Sequence, residues 1–214
     1  MTAEGVARSP HAGPPRRPGQ LRGGPHGMSR EQVKENQRER LLAAFSELIG
    51  EHGYSDIPIR ALIGRAGVSR KTFYELYENK EDCFLAVQDA IADRLLERVR
   101  TTAARGKTPQ QCLDLAIDAL TGFCVEEPAA ARAWVVEALA AGPHARARRA
   151  ALLDELAEAL APAVARLQPD AARPTLVARA TIGAVLELAA HSPDRFAGHE
   201  LARLAKAIVA ARDA

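Results

Sequence analysis

From Ser29 onward the chain sets apolar residues at helical intervals. Val33, Leu41, Leu42, Phe45, Leu48 and Ile49 recur at the spacing that lines one face of a helix. "SREQ" opens this stretch as a capping box, with Ser29 as N-cap and Gln32 three residues on. Gly53 in "EHGY" ends it. A short second helix is predicted from about Pro58 to Arg65, then a tight turn at Ala66-Gly67-Val68, where glycine takes a positive φ cheaply. Ser69 caps a third helix from Arg70 to about Tyr77, and Asn79 caps a long fourth one, with Asp82 at its third position. The rest reads as helices near 80–104, 109–126, 128–141, 144–167, 174–191 and 199–212. Gly106, Pro128, Gly142-Pro143, Pro169, Pro193 and Gly198 mark the breaks. No strand pattern and no internal repeat stands out, so the expected fold class is all-α.

Composition sharpens this picture at the N-terminus. Residues 1–28 hold five of the 13 prolines and six of the 15 glycines, with Arg8, Arg16, Arg17 and Arg22. Such a segment buries too little apolar surface to offset chain entropy, and is expected to be a disordered basic arm. It is either a tail without a role or a cationic arm that touches DNA phosphate. Three parts follow: the arm at 1–28, a small helical unit at 29–78 and a larger one at 79–214. The net charge of +2 is unevenly spread: residues 1–80 carry 13 Lys/Arg against 9 Asp/Glu, and residues 81–214 carry 16 against 18. A basic front half suggests a polyanion partner. Cys83, Cys112 and Cys124 show no paired spacing, so free thiols in a reducing cytoplasm are expected. No apolar run approaches the roughly 20 residues of a membrane span, and the first 30 residues lack the apolar core of a secretory signal.

The run "AGVSRKTFYELYENK", residues 66–80, carries the chemistry. Two short helices joined by a tight turn form a helix-turn-helix, whose second helix enters the DNA major groove. Leu62, Ile63, Val68 and Phe73 can bury one face, leaving Arg70, Lys71, Thr72 and Tyr74 at the front. Arginine and lysine donate to guanine, threonine meets the thymine methyl, and tyrosine donates to phosphate. Lys80, at the start of the fourth helix, adds an ammonium to backbone N–H groups as a phosphate clamp, although Glu81 and Asp82 oppose it.

"PIRALIGRAGVSRKTFYELYENKEDCFLAV" resembles the DNA-binding segment of the TetR family of transcriptional regulators, over about residues 33–88. The resemblance implies a homodimer, each of whose chains reads one half of a palindromic operator, with a larger helical domain that binds a small effector and forms the dimer. It implies DNA contacts at Arg60, Arg70, Lys71, Thr72, Tyr74 and Lys80, to which Ser69 is added as the cap of the recognition helix. There are departures from the family pattern. Pro58 replaces a usual Ser/Thr cap, so Asp56 or Ser55 is expected to cap instead; Leu76 replaces an aromatic or histidine, Tyr77 a phenylalanine, and Glu75 adds a negative charge near the groove.

The second domain offers weaker signals. Phe84, Val87, Leu115, Phe123, Trp134 and Leu139 either line an effector cavity or form core, while Glu137 and His144 are too scattered to name a ligand. If they line a cavity, the effector is apolar or amphipathic. Ala180, Gly183 and Ala184 allow close helix approach, and Leu201, Leu204 and Ile208 form an apolar stripe. The resemblance places the dimer on these last two helices; packing within the chain is the other reading. His191, Ser192 and Asp194 lie close in sequence but lack a nucleophile elbow, and no histidine spacing fits a metal. The expectation is a regulator, most simply a repressor released by its effector, with no enzyme activity, metal or cofactor. A helical protein-binding adaptor and a small enzyme are the rival readings.

Overall fold

The computed structural model describes residues 29–169, 172–191 and 198–210. The arm at 1–28 and the Ser192–Asp194 part of the histidine cluster lie outside them. The described chain runs through α1 (Arg30–His52), α2 (Ile59–Ala66), α3 (Arg70–Leu76), α4 (Lys80–Ala103), α5 (Pro109–Glu126) and α6 (Pro128–Arg132). A π-helical turn, Ala133–Glu137, leads into α7 (Ala138–Ala141), followed by α8 (Pro143–Leu167), α9 (Pro174–His191) and α10 (Gly198–Ala210). The fold is all-α.

Local chemistry sets the helix starts. Ser29 Oγ accepts the Gln32 N–H at 3.2 Å while Gln32 Oε1 accepts the Ser29 N–H at 2.7 Å, closing the capping box. Ser69 accepts from the Thr72 N–H and Asn79 from the Asp82 N–H. One expected cap is absent: neither Ser55 nor Asp56 caps α2. Pro58 occupies the N-cap, with no side-chain hydrogen bond, and its carbonyl accepts from Ala61 and Leu62. Proline's fixed φ pre-sets the entry to the helix, which stands in for a side-chain cap.

α4 runs through the middle and packs against α1 at its start and against α5 and α8 beyond, while α9 covers α5 and α8 and α10 covers α5 and α9. The apolar core is continuous from Leu41 in α1 to Val209 in α10. Phe84 of α4 closes the first domain. Its ring meets Tyr54 at 4.9 Å and Phe45 at 5.8 Å, so α4 is the roof of the three-helix unit as well as the spine of the second domain. Aromatic pairs of this kind contribute about 0.5–1.5 kcal/mol beyond area burial.

The segment 128–141, expected as one helix, is interrupted by its π turn. In a regular α-helix, residues three apart share a face. Here Trp134 packs under Arg149 of α8, 5.7 Å from its guanidinium, whereas Glu137 turns to Tyr54 in the loop after α1. The wider π turn separates the two side chains.

Tyr77 gives a direct check of this packing. It is buried beside Phe73, and burial pushes its hydroxyl pKa up to about 12, yet that oxygen has no hydrogen-bond partner. A buried unpaired hydroxyl costs stability rather than adding it. Tyr77→Phe is therefore expected to leave the melting temperature unchanged or higher. A loss of more than about 1 kcal/mol in denaturant unfolding would show that the hydroxyl is bonded.

Candidate nucleic-acid interface

The α2–α3 unit is held rigid from behind. Gly67 has φ 64° and ψ 35°, a left-handed conformation that suits glycine, and Val68 N–H reaches back to the Ile63 carbonyl at 3.1 Å. Arg40 of α1 locks the turn: its Nε donates to the Ala66 carbonyl at 3.0 Å and its Nη2 to the Gly67 carbonyl at 2.6 Å. These carbonyls end α2 and have no partner within the helix, so the guanidinium satisfies the helix end and complements its dipole. Arg65 ties α2 to α1 through Glu51, at 2.8 Å on two atoms, and Glu47 at 3.2 Å. That pairing raises the Arg65 pKa and lowers that of Glu51.

With the rear fixed, the front of α3 is open. Phe73 is fully buried, while Ser69, Arg70, Lys71 and Tyr74 face solvent and Thr72 is half-buried. Arg70 lies over the Tyr74 ring at 5.6 Å, and Lys71 pairs loosely with Glu75 at 3.7 Å. The Ser69 and Thr72 hydroxyls are 2.9 Å apart and serve the helix cap. Arg60, on the exposed face of α2, makes no ion pair among the described residues. Arg60, Arg70, Lys71 and Tyr74 thus present cationic and hydroxyl donors on one rigid surface.

Lys80 departs from the expected phosphate clamp. Its ammonium points inward, donating to the carbonyls of Tyr54 at 3.0 Å and Ile57 at 3.2 Å, and it sits 4.1 Å above the Tyr54 ring. Burial lowers its pKa. The Tyr54 carbonyl has otherwise only the Ile57 N–H at 3.3 Å, and Lys80 adds a charged donor to it and to the Ile57 carbonyl.

The other side of that loop is held by Glu137. Its Oε2 accepts the Tyr54 N–H at 2.9 Å and its Oε1 the Arg132 Nε at 2.9 Å, while Arg132 also donates to the Gly50 carbonyl at 3.3 Å. Gly53, at φ 82°, lets the loop come this close: a Cβ there would stand 3.0 Å from Glu137 Oε1. Arg40 was missed as a functional candidate, and Glu137 was weighed only as a ligand group. Arg40 had a signal, since it precedes the buried Ala44 and Leu48 at four-residue steps. Glu137 was a lone charge in the apolar run "AWVVEALAA".

Residues 41–87 match the model of the bacterial regulatory proteins of the tetR family. This stretch, residues 41–87, resembles the DNA-binding segment of the tetR family. Over 90 residues it is 30% identical to the HTH-type transcriptional activator FasR of Mycolicibacterium smegmatis, a match covering 42% of this chain and 41% of FasR. The fold is also that of solved relatives. The regulator FadR from Bacillus subtilis, in complex with stearoyl-CoA, superposes with a TM-score of 0.67 at 17% identity, over 80% of this chain and 95% of FadR. A tetR-family regulatory protein from Rhodococcus RHA1 does so with 0.67 at 16% identity, over 81% and 95%. The matched stretch contains α2 and α3, the two short helices joined by the Gly67 turn.

The residues expected around an effector do not form one cavity. Phe84 belongs to the aromatic roof of the first domain, and Leu139 is 54% exposed. Val87, Phe123 and Trp134 are packed in core, with Leu115 half-buried. His144 is exposed and meets Glu81 at 3.3 Å. Among the residues expected at a dimer contact, Leu201 is already buried within its own chain. Ala180 and Leu204 are exposed, and Gly183, Ala184 and Ile208 are half-buried. The apolar stripe of α10 is wide enough to serve its own core first.

Lys80→Ala is expected to cost about 1–3 kcal/mol in unfolding, because two loop carbonyls lose a charged donor. Glu137→Ala should cost a similar amount by leaving the Tyr54 N–H unpaired. Urea unfolding of both variants checks this; a Lys80→Ala chain of full stability but lowered DNA affinity would restore the phosphate role.

Proposed function

We propose that the protein is a homodimeric regulator that reads a palindromic operator with α3 and lets go when a small apolar or amphipathic molecule binds the second domain. The exposed cationic face of α2 and α3, with Arg60 free of ion pairs among the described residues and Arg70 stacked on Tyr74, is the observation that carries DNA reading. One recognition helix reads only a few base pairs, so two are needed for useful specificity. The dimer is supported by an apolar outer face on α9 and α10. Leu176 is 54% and Leu204 38% exposed, and a Cβ on Gly183 would meet nothing within 4 Å.

Effector control is supported by the join between the domains. Residues 29–78 act as the reading unit, and the rest of the described chain grips it through α4, Lys80 and Glu137. A ligand that shifts α4 or the π turn moves both reading helices together. It acts only through its different affinity for the bound and released arrangements. The structural relative FadR was solved with stearoyl-CoA, which favours an amphipathic effector class. We assign repression because release by effector is the simplest switch; FasR is named an activator, so the sign is read from transcription with and without effector.

Fluorescence anisotropy on a selected duplex tests the reading. Arg60→Ala and Arg70→Ala should each cost about 1–3 kcal/mol and relax preference at one base position. Lys71→Ala is expected to weaken all sequences alike and reduce the salt slope by about one unit. Light scattering should give twice the 23.0 kDa chain mass. Unchanged affinity after Arg60, Arg70, Lys71 and Tyr74 all become alanine would rule out this face.

A further inference from the structure

Far from the DNA-reading helices, a cleft of about 410 Å³ opens between the last turns of α4, the start of α5 and the last turns of α8. It has a simple steric origin. Nearer the first domain, α4 buries Leu95 and Leu96 and α8 buries Leu152, Leu153 and Leu156. At the cleft both helices turn to alanine, with Ala103 and the C-cap Ala104 at the end of α4 and Ala159 and Ala163 on α8. These side chains are too short to fill the gap.

The floor is apolar, formed by Val99, Ala103, Leu160 and Ala163, and the mouth carries Arg100 and Arg166. Both arginines are exposed, and neither makes an ion pair among the described residues. Each lies in the last turn of its helix, where a cation complements the dipole. The dipole accounts for each charge alone, but not for two unpaired guanidinium groups flanking one apolar floor. A guanidinium pairs best with a carboxylate, and an apolar trench favours a flexible hydrocarbon chain.

We propose that this cleft binds a medium-chain fatty carboxylate, its chain on the Val99–Leu160 floor and its carboxylate between Arg100 and Arg166. The proposal rests on the reading of the second domain as effector-responsive and supplies the ligand's chemical class and place. Burial of the chain contributes about fourfold in affinity per methylene. The carboxylate contributes about tenfold more through charge-assisted hydrogen bonds.

The cleft holds its own reporter. Cys112 lines it half-buried, with its thiol toward the Gly106 carbonyl at 3.4 Å. Cys83 and Cys124 are buried, and burial pushes their thiols up to about 12 and about 11. Iodoacetamide at mildly alkaline pH should therefore label Cys112 in the native chain and spare the other two.

The test is calorimetric titration of the full chain with dodecanoate, beside Cys112 alkylation rates and operator binding. Saturable binding is expected, with Cys112 alkylation slowed in step. Affinity should fall about tenfold in Arg100→Gln/Arg166→Gln, and about as much for methyl dodecanoate. Ala163→Trp, which fills the cleft, should abolish binding and protection; the double glutamine variant changes only exposed residues and keeps the test valid if the tryptophan impairs folding. The proposal is overturned if dodecanoate does not bind, if it binds all variants equally, or if Cys112 stays unprotected. Binding of dodecanoyl-coenzyme A without binding of the free acid overturns it as well. Binding and protection without operator release would support the cleft as a carboxylate site and instead contradict effector control.

Discussion

Both peptide groups of Tyr54 are held by charges from outside the three-helix unit. Its N–H goes to the Glu137 carboxylate on the π turn, and its carbonyl to the Lys80 ammonium at the head of α4. The loop between α1 and α2 has no helix to satisfy its backbone, so these ions substitute for secondary structure. The placement of α2, and through Arg40 and Gly67 of α3, follows from that loop. Phe45, Tyr54 and Phe84 fill the space beneath it, which packs the three-helix unit against the second domain.

The same arrangement explains the π turn. A regular helix over residues 128–141 would carry Trp134 and Glu137 on similar headings, and only one could meet its partner. The wider turn gives Trp134 to α8 and Glu137 to Tyr54, so one element touches the interior of the second domain and the loop of the first. π turns are rare and occur mostly as single turns inside α-helices, as here. Two atoms near it remain unpaired, Trp134 Nε1 and Arg149 Nε. A buried donor without a partner costs about 1–3 kcal/mol.

Local features were legible in the sequence because their partners lie within a few residues. The caps at Ser29, Ser69 and Asn79 and the left-handed Gly67 depend on neighbours three to five positions away. The hydrogen bonds of Lys80 left no local signal because its partners, Tyr54 and Ile57, lie 26 and 23 residues back. At a helix start a lysine reads as exposed, and only the fold shows two carbonyls waiting for it. Aromatic residues were equally ambiguous: Phe84 and Trp134 have the same apolar signature whether they wall a cavity or fill a core. The cleft at Ala103 and Ala163 left no mark, because alanines are frequent throughout the helices and a void is made by what both sides lack.

Native-state hydrogen exchange of the Tyr54 amide tests the central claim most directly. If Glu137 holds that N–H, the amide exchanges as slowly as the buried amides of α1, and Glu137→Ala speeds it by about tenfold or more while Leu41 and Phe45 keep their protection. Fast exchange at Tyr54 in the unaltered chain, or an unchanged rate in the variant, would contradict the account.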